Sequence, residues 1–364
     1  MQARLGRTSR HRAAVAACIV LMAFVALACL FFGHYEIGLE SVVSIIVYGI
    51  VGFLSQMSQQ LHGLAPFIPA FSNPLVVTWD PLVYSIVWDS RIPEVLGALL
   101  VGGGLAISGA CYQGVFRNPL VSEGILGVSA GASLGACMGI LLGTNSLIMS
   151  ALAFVGGVAA VSITYFTSRV FNGNPTLLLV LSGTVVSSLF SSGVSIAKYL
   201  APTDTALPEI TFWLMGSFGR IGQDGLLLLL PVVIVCFIII QSMAWKLNLL
   251  ALGDDDAHAL GVDVERSRLA IIGVSTFITA VAVCMCGMIG WVGVVVPQIV
   301  RMAFGPNFKN LIPYSFLFGA IFMMIVDVLC RNLLTMEIPV GIVTSIIGAP
   351  FYLAILKRQK EGWI

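Results

Sequence analysis

Residues 92–116 read IPEVLGALLVGGGLAISGACYQGVF, and the run closes at Arg117. It carries one charge, Glu94, near its start. A helix over these residues rises about 1.5 Å per residue, enough to cross a hydrocarbon core of about 30 Å. Apolar residues occupy every side of it, so it has no face for water. Lipid is the solvent that fits.

Nine more runs of this kind follow from walking the chain outward: 13–32, 125–142, 147–168, 176–197, 225–244, 269–287, 288–302, 313–333 and 338–356. The run 288–302 is short, because Gly287, Gly290 and Gly293 break a nearly continuous apolar stretch. Composition agrees. Of 364 residues, 58% are hydrophobic and 10% charged, with a mean hydropathy of +1.01, against about a quarter charged in a soluble domain. The expectation is an all-α integral membrane protein of about ten transmembrane helices forming one domain, 1–364. A net charge of +1 without a basic patch excludes nucleic acid as a partner.

The first run follows Arg4, Arg7, Arg10 and Arg12. It is longer than a signal-peptide core of about 7–15 residues, and no small-x-small cleavage site precedes Tyr35. A retained helix is expected, with 1–12 as a cytoplasmic tail. Ten spans with the N-terminus inside place Arg4, Arg7, Arg10, Arg12, Arg117, Arg169, Lys246, Arg266, Arg268, Arg301, Lys309, Lys357, Arg358 and Lys360 in the cytoplasm. Only Arg91, Lys198, Arg220 and Arg331 fall outside. That bias puts both termini in the cytoplasm of a multi-pass protein.

The segment 33–91 reads as an external loop. Within it, 41–54 is apolar but too short to span, an interfacial or re-entrant helix; 55–90 is rich in Ser, Gln and Pro, an external excursion. Residues 200–224 form a second external connection, whose Trp213 and Phe218 suit the membrane interface. Blocks 92–197 and 269–356 each hold four spans and enter from opposite sides, the arrangement of an inverted repeat.

Several features bear on mechanism. Gly127, Gly131, Gly135, Gly139 and Gly143 recur every four residues, leaving one side of a helix flat for close packing or sliding. Thr184, Ser187, Ser188, Ser191 and Ser195 form one hydroxyl stripe, either interhelical glue or the lining of a wet path. Asp327 and Arg331, four apart, suit an ion pair on one helix face; exposure of Arg331 to an external partner is the competing role. The polar segment 245–268 (WKLNLLALGDDDAHALGVDVERSR) offers a short cytoplasmic helix. Gly253 precedes it, Asp254, Asp255 and Asp256 fill its first turn, and Gly261 ends it. It is a solvated loop helix or a docking element.

Eight cysteines lie in or beside apolar runs without a C-x-x-C, and four histidines are scattered, so no metal site is readable. No Gly-Lys dipeptide occurs, hence no Walker A loop; no H-E-x-x-H, nucleophile elbow or catalytic carboxylate pair is present. An enzyme is not expected.

Ordered blocks between Arg91 and Lys357 add to this reading: SRIP (90–93), GGGLAISGACYQGVFRNPL (102–120), GILGVSAGASLGA (124–136), FWLMGS (212–217), LLALGDDDAHALGV (249–262), GWVGVVVPQIVR (290–301), VDVLCR (326–331) and EIPVGIVTSIIGAPFYLAIL (337–356). With them the chain closely resembles the permease family of ABC importers for ferric siderophores, haem and vitamin B12. The resemblance implies a type II importer in the cytoplasmic (inner) membrane. Two permease subunits, identical or different, would enclose a path, with two ATPase subunits below and a substrate-binding protein outside. ATP and magnesium would sit on the partners, with no cofactor on this chain.

The resemblance also implies residue roles. Leu252, Gly253, Asp254, Asp255, Asp256, Ala257, His258, Leu260 and Gly261 match the coupling helix that fits the ATPase. Asn118, Pro119 and Leu120, with Asn174, Pro175 and Thr176, match turns at the cytoplasmic gate. The hydroxyl stripe falls on the span that lines the path, while Arg91 and Arg331 match external arginines that dock the binding protein. Glu94 stands where the family usually has a second arginine, which inverts one docking charge. The stretch 34–90 is longer than is usual. An ion-coupled secondary transporter is the alternative; it would call for mid-membrane acids, and Asp327 is the only carboxylate well inside a span.

Overall fold

The computed structural model describes residues 2–360 apart from 34, 36, 65–68, 70, 76, 78, 172 and 174. In chain order its helices are α1 (Gln2–Phe31), α2 (Leu39–Leu64), α3 (Pro81–Tyr84), a π-helical turn (Ser85–Arg91), α4 (Ile92–Phe116), α5 (Val128–Leu141), α6 (Ser146–Val170), α7 (Pro175–Leu200) and α8 (Ala206–Met215). There follow α9 (Gln223–Ser242), α10 (Ala244–Leu252), α11 (Asp254–Ala259), α12 (Val264–Cys286), α13 (Val292–Phe304), α14 (Phe308–Asn332) and α15 (Val340–Lys360). Among the described residues eight helical runs are long and apolar enough to cross a membrane, and α5, α13 and the apolar part of α15 are shorter. Every expected span has a counterpart, and α2 is additional.

Helix α2 differs from the expected short element at 41–54. It continues through Ser55 and Gln56 to Leu64, and 39–59 is apolar enough to span. Its packing shows where it lies. Arg91 donates to the carbonyls of Leu30 (2.9 Å) and Tyr35 (2.6 Å), so the end of α1 meets the start of α4. Tyr48 then packs edge-on against Trp79 and Tyr84, Gly49 faces the Trp88 ring, and Ser55 donates to Phe71 O. Helix α2 therefore runs antiparallel to the 81–91 extension, beyond Arg91, and not beside the buried length of α4. The excursion expected over 55–90 is also partly helical. Asp80 caps Leu82 N at 2.8 Å with Pro81 in the first turn, which starts α3, and the π turn carries the helix on into α4.

Helix α4 is the centre of the molecule. It packs antiparallel to α14, with Gly114 at Phe308, Gly102 at Gly319 and Glu94 at Arg331. At Gly102 and Gly319 each residue faces the other's carbonyl, so a Cβ on either would occupy the contact. In the same way α12, first helix of the second block, packs on α6, third helix of the first. The blocks also share lengths, with a short second helix (α5, α13) preceded by a residue at positive φ, Gly127 (89°) or Trp291 (72°). This reciprocity is what a pseudo-two-fold between the blocks produces. Across the axis Ser108 bonds Thr279 at 2.8 Å and Tyr112 bonds Thr276 at 2.7 Å, which satisfies four hydroxyls in an otherwise apolar core.

Of the five-glycine ladder, only Gly131, Gly135 and Gly139 lie inside α5. They meet Gly156, Leu152 and Met149 of α6, so the ladder is a packing seam between two helices of the same chain. Gly127 and Gly143 instead turn the chain at either end, at φ 89° and 62°. Trp213 and Phe218 are not at an interface. Both are 1% exposed. Gly216 and Gly287 bring the end of α8 against the end of α12, and that approach pulls both rings inward. Seven of the eight cysteines are buried and all are free, packed as small hydrophobes.

Candidate functional site

The end of the molecule remote from Arg91 carries a protruding element. Gly253, at φ 144°, breaks the chain between α10 and α11, a conformation that glycine alone adopts at low cost. Asp254 then turns back and accepts twice from Arg268 (2.7 and 2.8 Å), with Arg117 at 3.7 Å. Ala257 packs inward, fully buried, and Gly261 (φ 80°) closes the element. Leu252 and Leu260 are left more than half exposed, beside exposed Asp255, Asp256 and His258. Two exposed leucines thus flank a short acidic helix that is anchored from beneath. The structure thus gives the nine sequence-identified residues two tasks: Gly253, Asp254, Ala257 and Gly261 hold the element, and the others face outward.

The turn after α4 lies beside this element. Arg117 takes φ 51°, and Asn118 Oδ1 accepts from Leu120 N at 3.0 Å, which fixes the Asn118-Pro119-Leu120 turn. Asn174 lies outside the described residues, while Pro175 begins α7 and Thr176 is half-buried.

Sequence reasoning missed what secures the first turn. Glu123 is 3% exposed and set against the first turn of α13, beside the Gly293 amide. Burial raises its carboxyl from 4.5 to about 7, against the lowering effect of its own and the Gly293 backbone amides. Gln113 donates to Gly293 O (3.1 Å) and accepts from Arg301 (3.0 Å), which also donates to Gln298 (2.7 Å). Helix α13 is thereby tied at both ends to α4 and its turn. A lone charge between two apolar motifs was the available signal for Glu123; its partner, 170 positions on, was not legible.

An open cleft of about 950 Å³ adjoins this turn, walled by the α4–α5 connection, the end of α8, the α12–α13 connection and α15. Its polar groups include Ser122, Glu123, Ser129, Ser345 and Tyr352, and among the described side chains no lysine or arginine lines it. On α7, Thr184, Ser188, Ser191 and Ser195 are exposed and Ser187 is half-buried, against Gly127. Thr184 and Ser195 donate back to carbonyls four residues earlier (2.9 and 3.1 Å), so their other valences face outward. Among the described residues no helix covers that stripe.

The expected docking charges need a correction. Arg91, Glu94 and Arg331 are 4%, 5% and 6% exposed. Arg331 donates to Asp327 (2.5 Å), lies 3.7 Å from Glu94 and reaches Phe32 O (3.4 Å), while Arg91 serves the α1 end. Glu94 does not invert an external charge; it completes a buried cluster with Asp327 and Arg331. Each of the three therefore has its partners within the chain.

A girdle of bilayer-length helices, a cleft open on one side and an anchored polar helix at one end together define a class, the multi-span membrane permease. The FecCD transport family model matches residues 18–358, and the chain belongs to that family of ABC transporter permeases. It is 38% identical to the molybdate import system permease protein of Haemophilus influenzae, over 78% of this chain and 84% of that protein. It is 36% identical to the hemin transport system permease protein of Yersinia pestis, over 80% and 90%. The cobalamin import system permease protein of Halobacterium salinarum is 37% identical over 80% and 78%. Among solved structures, an inward-facing one assigned to the metal-chelate type of ABC transporter superposes with a TM-score of 0.80. It is 32% identical and covers 95% of this chain and 99% of its own.

Proposed function

We propose that this permease carries a bulky metal chelate, a ferric siderophore first among the candidates, into the cytoplasm, driven by ATP hydrolysis on partner subunits. The observation that carries the reading is the cleft: about 950 Å³ in one chain, hydroxyl-bearing, and without a basic side chain among the described residues of its wall. A bare oxyanion crossing such a wall would lack a cationic partner. A metal wrapped in an organic ligand presents apolar surface and a few hydroxyl-matched groups instead. A second permease subunit, identical or different, would cover the exposed α7 stripe and close the cleft into a path. The α11 element would seat on an ATPase subunit, which holds the nucleotide and magnesium; this chain binds no cofactor. A substrate-binding protein would deliver cargo from outside, and both termini would lie in the cytoplasm. Asp327, spent on Arg331, is not free to couple an ion gradient.

The test is uptake by the reconstituted transporter, with ferric siderophore, hemin and cobalamin offered separately. Leu252→Asp with Leu260→Asp is expected to abolish co-purification of the ATPase subunits and to lower uptake at least about tenfold, since two exposed apolar anchors are lost. Uptake that survives a hydrolysis-dead ATPase, or ATPase binding unchanged in the double variant, would overturn the reading. Transport of hemin or cobalamin but not of ferric siderophore would overturn the cargo alone.

A further inference from the structure

Between α6 and α12, at the same end as α11, two cavities adjoin. One, of about 280 Å³, is polar at its mouth and lined by Ser168, Arg169, Glu265 and Arg268. The other, of about 320 Å³, is an apolar groove along the helices, lined by Val158, Phe166, Gly273 and Phe277. They share Tyr165, Leu269 and Ile272. Polar cavity and apolar groove thus lie end to end across three shared wall residues, and together they make an amphipathic slot.

The polar end holds a donor with nothing to donate to. Arg268 is 8% exposed; its Nη2 is taken by Asp254, but its Nε is buried without a hydrogen-bond partner. A buried guanidinium N–H left unpaired is costly, and an anionic oxygen is the acceptor that suits it best. Arg169, half-exposed at the mouth, pairs with Glu265, donates to the Tyr165 hydroxyl (2.8 Å) and stacks over the Tyr165 ring; both polar contacts use its Nη2. In the groove, Gly273 has open space where a side chain would be. Val158, Phe166, Leu269 and Phe277 remain exposed around it.

We infer that this slot holds an anionic phospholipid of the cytoplasmic leaflet, its phosphate on Arg268 Nε and Arg169, and one acyl chain in the groove over Gly273. A free phosphate fits only the upper cavity and leaves the groove unexplained, whereas a phospholipid accounts for both. The cytoplasmic leaflet carries a negative surface potential from anionic headgroups, and basic pockets between helices on that side select them. Arg268 also anchors Asp254 of the α11 element, so the bound phosphate sits one side chain from the surface read as the ATPase contact.

The test uses the full-length permease in detergent, titrated with phosphatidylglycerol or phosphatidylcholine of the same acyl composition and read by native mass spectrometry. One phosphatidylglycerol per chain is expected at concentrations where phosphatidylcholine is not retained. Gly273→Leu, which fills the groove, and Arg169→Gln, which removes a charge-assisted donor, should each lower occupancy about tenfold. Gly222→Leu, equally open in its surroundings and distant from the slot, should not. Equal retention of the two lipids, displacement by inorganic phosphate alone, or unchanged occupancy in Gly273→Leu and Arg169→Gln would each overturn the inference. So would loss of the lipid when the ATPase subunits bind, because the slot would then be part of that interface. The variants' unfolding transitions are compared with wild type, and the arginine variant decides if Gly273→Leu does not fold.

Discussion

Removal of Arg331 tests whether Glu94, Asp327 and Arg331 act as one buried charge cluster. The side chains of Arg331, Asp327 and Glu94 are 7%, 2% and 6% exposed, and one guanidinium serves both carboxylates. In Arg331→Met the two carboxylates keep their burial and lose their cation, a change that costs about 3–5 kcal/mol for a buried pair. Arg331→Met with Asp327→Leu removes cation and nearer anion together. Replacing a buried pair by apolar side chains is close to neutral, so the double variant should recover more than half of the loss. The remainder reports Glu94, left 3.7 Å from where the charge was. Equilibrium unfolding in mixed micelles, followed by circular dichroism, reads wild type, Arg331→Met, Asp327→Leu and the double variant. A single variant within about 0.5 kcal/mol of wild type, the range of ordinary surface changes, would refute the buried-cluster reading. So would a double variant whose loss is the plain sum of the two single losses. Binding-protein affinity should follow stability in the single variant and return in the double one.

Three further outcomes follow from other parts of the structure. Glu123 titrates higher in the folded chain, about 7 against 4.5, so the folded state holds its proton where the unfolded state has released it. Stability from this group is therefore full below about pH 4.5, declines by roughly 3 kcal/mol towards pH 7 and is flat above; Glu123→Gln should flatten the pH dependence of unfolding. Gly131→Leu should destabilise by about 1–3 kcal/mol or more, because its Cβ meets the Gly156 carbonyl and Ala160, and thermal unfolding in detergent reads it. Gly290→Leu, with open space around it, should stay within about 0.5 kcal/mol in the same assay.

The α11 element shows how far local sequence reaches. Gly253, three aspartates and Gly261 specify a break, a first turn and an end through forces acting within a few residues. Its surroundings were not legible, since Arg268 and Arg117 come to Asp254 from separate helices. Trp213 marks the opposite case. Its amphipathic ring suits an interface in isolation, yet the approach of Gly216 to Gly287 buries it.

The bilayer as solvent was determined by sequence alone, because a 25-residue run with one charge has no other low-energy setting. The positions of nearly all the crossing helices followed from it. Tertiary structure decided the rest: that α2, apolar enough to span, instead lies along the 81–91 extension, and that Arg91, Glu94 and Arg331 are buried while the α7 hydroxyls are not. Hydropathy sums the transfer energy of each residue separately. The fate of a charge or an aromatic ring depends on which distant side chain is packed against it, and that is fixed only when the helices meet.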